Sequence, residues 1–147
     1  MAKDFKRGDD YKLYLNTGTQ GTPTWVLITA FSDLAVDMAP SDITVPEAGI
    51  SDGHLSGYGD PSISFTLYED RGDTNVVTLL TAMHAGTMKE IAVANGPIAT
   101  VGTKYYRLEA NFTAFPLSAG KGAPASFDVE AKRHANSSFD LTLNTAA

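Results

Sequence analysis

Cysteine is absent from the 147 residues, which excludes both a disulfide framework and a thiolate metal site. The absence fits a reducing compartment. Positive charge is scarce: 11 Lys and Arg stand against 17 Asp and Glu, for a formal net charge of −6 and a pI near 4.8. Proteins that grip nucleic acid by its phosphates present a basic face, so this balance argues against that class. It suits a protein that must not hold nucleic acid. The cations are spread out, apart from Lys3, Lys6 and Arg7 at one end and Lys132 and Arg133 at the other. Long hydrophobic runs are missing as well. No apolar stretch approaches the roughly 20 residues of a membrane span, and the opening MAKDFKRGDDYKL is too polar for a signal peptide, so no membrane insertion is expected. No repeat period recurs. An apolar content of 43% is still enough for a real core, and the length predicts a single domain over 1–147.

Helix signals are also rare, and the one strong set lies at 71–95, RGDTNVVTLLTAMHAGTMKEIAVAN. Asp73 or Thr74 can cap a helix start by accepting backbone N–H bonds. Val76, Leu79, Leu80 and Met83 recur at i, i+3, i+4 and i+7, which makes one apolar face. Gly86 stands where a left-handed C-terminal cap is needed. A helix of about a dozen residues is marginal alone in water, so it must lie on a sheet.

The rest reads as strands. Residues 1–10 form a polar arm, 11–15 a first strand, 16–24 a turn-rich link and 25–31 a second strand. Leu34, Val36 and Met38 then alternate with Asp33, Ala35 and Asp37. The segment 39–60 holds two Pro, four Gly and few large apolar groups, so it reads as a long loop in which 43–45 alone suits a strand. Residues 61–68 alternate cleanly, with Ile63, Phe65 and Leu67 against Ser62, Ser64 and Thr66. Beyond the helix come strands at 88–94, 104–115, 127–131 and 139–143, with a loop at 116–125. In 104–115 Tyr106, Leu108, Ala110 and Phe112 oppose Glu109, Asn111 and Thr113; farther on, Phe127 and Val129 oppose Asp128 and Glu130. The fold class is therefore mainly β: a β-sandwich or partly open barrel with one flanking α-helix.

Chemical motifs fail on context. Gly49-Ile50-Ser51-Asp52-Gly53 matches G-x-S-x-G, but a nucleophile elbow needs a strand before it and a helix after it. Gly120-Lys121 lacks the upstream glycine and the following Ser or Thr of a P-loop. His54, His84 and His134 sit in three separate segments, so no metal site is expected. Arg71-Gly72-Asp73 spells an adhesion tripeptide, yet a turn with Asp73 as helix cap accounts for it. The sequons at Asn111 and Asn136 lack a secretory context. No catalytic constellation emerges, and neither an enzyme nor a cofactor is expected.

The order of elements resembles that of bacteriophage major tail tube proteins of the long-tailed, non-contractile group and its relatives. The likeness runs from Gly21-Thr22-Pro23-Thr24-Trp25 into the second strand, through Ser32-Asp33-Leu34-Ala35-Val36, to Ser64-Phe65-Thr66-Leu67-Tyr68-Glu69-Asp70 entering an acidic turn. It continues with the helix, Lys89-Glu90-Ile91-Ala92-Val93, and 106–116 followed by 127–131. The segment 39–60 stands where that family carries a variable loop or hairpin. The resemblance implies a structural protein of the virion tail, made in the host cytoplasm. Its copies would form hexameric rings that stack into a tube, with tape measure and terminator proteins as further partners. DNA would pass through without specific binding.

In that role Asp33, Asp37, Ser62, Ser64, Thr66, Glu109, Asp128 and Glu130 are expected to face the lumen. Lys3, Lys6 and Arg7 of one ring would meet Asp42, Glu47 or Asp52 of the next. The alternative is a β-sandwich binding module, for carbohydrate or another surface ligand, in which Trp25, Tyr58 and Tyr105 would be the exposed aromatics.

Overall fold

A computed structural model describes residues 8–19, 21–37, 42–46, 49–51, 53–56, 61–133 and 142–146. After a single 3₁₀ turn at Gly8–Asp10, strands β1 (Lys12–Asn16) and β2 (Trp25–Ile28) form an antiparallel hairpin. The strand expected over 25–31 breaks after Ile28, and the chain resumes as β3 (Phe31–Asp37). Next come β4 (Asp42–Val45) and β5 (Gly53–Ser56), which pair only with each other, then β6 (Ser62–Tyr68). Helix α1 (Thr74–Ala85) leads to β7 (Lys89–Ala94), β8 (Lys104–Ala114) and the two-residue β9 (Leu117–Ser118). The chain closes with β10 (Ser126–Arg133) and β11 (Thr142–Thr145).

The main sheet is antiparallel and runs β2-β1-β7-β8-β10-β6-β3, with β11 on β8 and β9 on β10. Its two edges, β2 and β3, are joined by Thr29 and Ala30 alone. Two linking residues leave the Cα atoms of Ile28 and Phe31 at most about 11 Å apart. Seven strands laid flat would separate those edges by about 29 Å. The sheet must therefore curl until its edges face each other, as the expected partly open barrel does. The edges do not hydrogen-bond to close it. A groove of ≈ 950 Å³ marks the seam, walled by Tyr11, Leu27, Phe31, Leu34, Val36 and Tyr106 among others.

The inner face of the curl is the core. Leu13, Leu15, Ile28, Ile63, Phe65, Leu67, Ile91, Val93, Leu108, Phe112, Phe127 and Val129 meet there. Val76, Leu79, Leu80 and Met83 of α1 complete it, which is the face that the helical spacing predicts. Both helix caps are built as expected. Asp73 accepts a bond from the backbone N–H of Asn75 at 2.9 Å. Gly86 takes a left-handed φ of 68°, its N–H reaching the Met83 carbonyl while that of Thr87 reaches the Ala82 carbonyl. That pair of bonds is a Schellman motif, which satisfies carbonyls that the helix end leaves open. The helix crosses from β6 to β7, which lie two strands apart in the sheet.

Two further expectations need correction. The segment 39–60 is not a plain loop: β5 pairs with β4 in the register Ile43↔Leu55 and Thr44↔His54. Glycines at 53 and 57 hid the second strand, since glycine is depleted in strands. The last strand lies at Thr142–Thr145, later than the expected 139–143.

Candidate functional site

The outer face of the curled sheet is where side chains meet solvent, and it divides into two unlike halves. Over β3, β6 and β10 the register sets polar residues in rows. Ser32, Thr66 and Asp128 form one row, and Ala35, Ser64 and Glu130 the next. Asp37, Ser62 and Lys132 form the third, which Asn111 of β8 extends. The central strand offers only small hydroxyls on this face, and carboxylates flank it on both sides. Thr66 Oγ1 donates to Asp128 Oδ1 at 3.2 Å, Ser32 Oγ lies 3.2 Å from the Tyr68 hydroxyl, and Lys132 Nζ lies 3.6 Å from Glu130 Oε1. Three acids against one lysine leave the face negative.

Six of the eight residues expected on a common polar surface therefore share it: Asp37, Ser62, Ser64, Thr66, Asp128 and Glu130. Asp33 does not join the rows. Between Ser32↔Thr66 and Ala35↔Ser64 the strand β3 carries one residue too many, a β-bulge, and Asp33 sits there with φ 53° at the mouth of the seam groove. The bulge also turns Ser32 onto the polar face, where strict alternation with Leu34 and Val36 would put it in the core. Sequence reasoning missed Ser32 for that reason. Lys132 and Tyr68 carried a usable signal, because each continues the period-2 alternation of its own strand.

Glu109 belongs to the second half, over β2, β1, β7 and the start of β8. This half is dry. Tyr14, Ala92 and Ala94 are buried beneath Trp25, Tyr105 and Ile98, and the turn after β7 folds over them, with the Ile98 N–H donating to the Tyr14 hydroxyl. Glu109 is 5% exposed and stands directly opposite Glu90, itself 7% exposed. Glu90 accepts from the Arg107 guanidinium as an ion pair and from Asn16 Nδ2 at 2.9 Å. The hydrogen bond to Glu90 outweighs burial and raises the Arg107 pKa above its ordinary value. Arg107 also lies 5.8 Å from the Trp25 ring, within cation–π range.

Trp25 and Tyr105, two of the aromatics that a binding module would expose, meet edge to face at 6.2 Å, and both are half-buried. Their faces are spent on each other and on Arg107. Tyr58 lies outside the described residues, as do Lys3, Lys6, Arg7, Glu47 and Asp52. Asp42 opens β4 opposite Ser56. His84 is exposed on α1, edge-on to Phe115 at 5.4 Å and to Phe127 at 6.5 Å. Arg71 pairs with Glu69 beside the turn that Asp73 ends. Among the described residues no three metal-ligating side chains converge.

No protein-family model and no curated protein matches the sequence. Solved structures do match. The SPP1 tail tube superposes with a TM-score of 0.63 at 15% identity, over 86% of this chain and 74% of that one. The tail of the empty gene transfer agent particle, refined with C6 symmetry, gives 0.66 at 15% identity, over 97% of this chain and 100% of the other. The virion of the native gene transfer agent particle gives 0.67 with the same identity and coverage.

The chain has a tail-tube fold.

In the tail-tube fold of this chain, the outer face offers two surfaces of opposite character. The wet half can repel phosphates and still hydrogen-bond water. The dry half is a rigid support for whatever β1, β2 and β8 present at their ends.

Proposed function

We propose that this chain is the repeating subunit of a virion tail tube. Copies join into six-membered rings, rings stack, and DNA passes along the lumen without being held. The observation that carries the proposal is the end-to-end agreement with the gene transfer agent tail, 97% of this chain against 100% of that one. A binding module that shared only a generic sandwich would leave part of one chain unmatched.

The acid-and-hydroxyl face supports the same reading from chemistry. Asp37, Asp128 and Glu130 around Ser62, Ser64 and Thr66 would line the lumen, where carboxylates repel phosphates and hydroxyls keep the surface wet. Stacking would bring Lys3, Lys6 and Arg7 of one ring to Asp42, Glu47 and Asp52 of the next. The role is structural and non-enzymatic, with tape measure and terminator proteins at the ends of the tube.

Concentrating the purified protein and imaging it by electron microscopy tests this directly. Hollow tubes of stacked six-fold rings are expected. A protein that stays monomeric across salt, crowding and concentration, and is missing from virions, would end the reading.

A further inference from the structure

The Asn16–Glu90–Arg107 cluster lies outside the proposed lumen face and has no part in repelling DNA. Its geometry points at the loop 17–24. A hairpin needs two to five linking residues, and this one uses eight. The excess is fixed rather than loose. Asn16 uses every hydrogen-bonding position of its amide: Nδ2 donates to Glu90 Oε2 and, at 3.2 Å, to the Thr19 carbonyl. Its Oδ1 accepts from Gly18 N–H at 2.8 Å and from Thr24 N–H at 2.9 Å. Thr17 and Thr24 close the loop base, and Thr19 and Thr22 bond each other across the tip.

Buried ion pairs rarely add net stability, because desolvation costs about what the attraction returns. A buried pair that anchors one fully bonded asparagine is better explained as a positioning device. The loop it positions, Thr-Gly-Thr-Gln-Gly-Thr-Pro-Thr, has no charge, on a chain of net charge −6. Copies that repel one another overall approach most easily through a neutral surface. Pre-ordering the loop removes the entropy cost of ordering it on contact.

We infer that the loop 17–24 is a pre-formed docking knob that seats on a second copy of this chain during tube growth. Asn16 and Glu90 are its positioning residues. This rests on the tail-tube reading, and it places a stacking contact on a surface separate from the 39–60 segment.

Gly21 offers a clean probe, since it is exposed and a Cβ there meets nothing within 4 Å. Gly21→Glu puts a like charge on the knob without touching its hydrogen bonds, and Gly21→Ala is the control. Each is compared with the unaltered protein for thermal midpoint, amide exchange at Gly18 and Thr24, and critical concentration for tube growth by sedimentation and electron microscopy. Gly21→Glu is expected to keep the midpoint and loop protection yet raise the critical concentration about tenfold or more. Gly21→Ala is expected to assemble normally. Asn16→Ala is expected to stay folded, lose protection at both loop amides and assemble poorly. If the unaltered protein forms tubes and Gly21→Glu forms them equally well, the knob is wrong and the tail-tube reading stands. If the unaltered protein forms none, both fall together.

Discussion

Two residues show how single positions shape the functional surface. Gly18 is required by close approach: a Cβ there would stand 2.6 Å from the Thr22 carbonyl oxygen and 2.9 Å from the Thr24 nitrogen, both backbone. Backbone cannot swing aside as a flexible side chain can. Gly18→Ala should therefore cost about 1–3 kcal/mol, the range for overpacking, read by denaturant unfolding. A loss below about 0.5 kcal/mol would mean that the loop simply opens to accept the methyl. Asp33 is required by conformation instead. Its φ of 53° lies in a region that Asp and Asn tolerate and β-branched residues resist. Asp33→Val should cost about 1–3 kcal/mol through backbone strain, although the side chain is exposed. An unchanged unfolding midpoint would show that β3 can slip its bulge and re-pair in a flush register. Neither role was visible in sequence, because a turn-rich loop and an alternating strand both look ordinary until pairing counts the residues on each side.

At the scale of elements, legibility followed how local each signal was. The helix was readable end to end, since its caps and its apolar face lie within a dozen consecutive residues. Leu80→Ala should cost about 2–5 kcal/mol as a buried leucine, while Val77→Lys, three positions earlier on the exposed flank, should stay within about 0.5 kcal/mol. Equilibrium unfolding of the two variants checks the contrast, and similar losses for both would place the helix differently on the sheet. The clean alternation of β6, β8 and β10 was equally readable. The break after Ile28 was not, because what ends β2 is a curl that carries the chain to the far edge of the sheet. The strand Gly53–Ser56 was hidden by its glycines, and the dry half of the outer face by its composition. Glu90, Arg107 and Glu109 look like solvent-facing charges in an alternating strand, and tertiary cover alone makes them buried.

For the whole molecule the question is which surface DNA meets. The acid-and-hydroxyl face lies on strands whose inner side is the core, so its charge can be changed without repacking. Asp128 and Glu130 alternate with Phe127, Val129 and Ala131, all buried, and the Asp128 side chain is engaged only by the Thr66 hydroxyl at a distance of 3.2 Å. Replacing both acids with lysine shifts each subunit by four charge units and releases Lys132 from Glu130. If this face lines the lumen, the repeated change along a tube converts a wall that repels phosphates into one that condenses them. Tubes of Asp128→Lys/Glu130→Lys should then retain DNA at low salt and release it steeply as salt rises, because each phosphate contact frees a counterion. Unaltered tubes should retain none. Retention is best measured on preformed tubes exposed to short duplexes, with protection of the duplex from nuclease separating DNA inside the tube from DNA stuck to its exterior. Protected DNA supports the lumen assignment. Binding without protection would put the face on the outside of the tube, and no binding at low salt would put it between subunits, where two buried lysines should also weaken assembly.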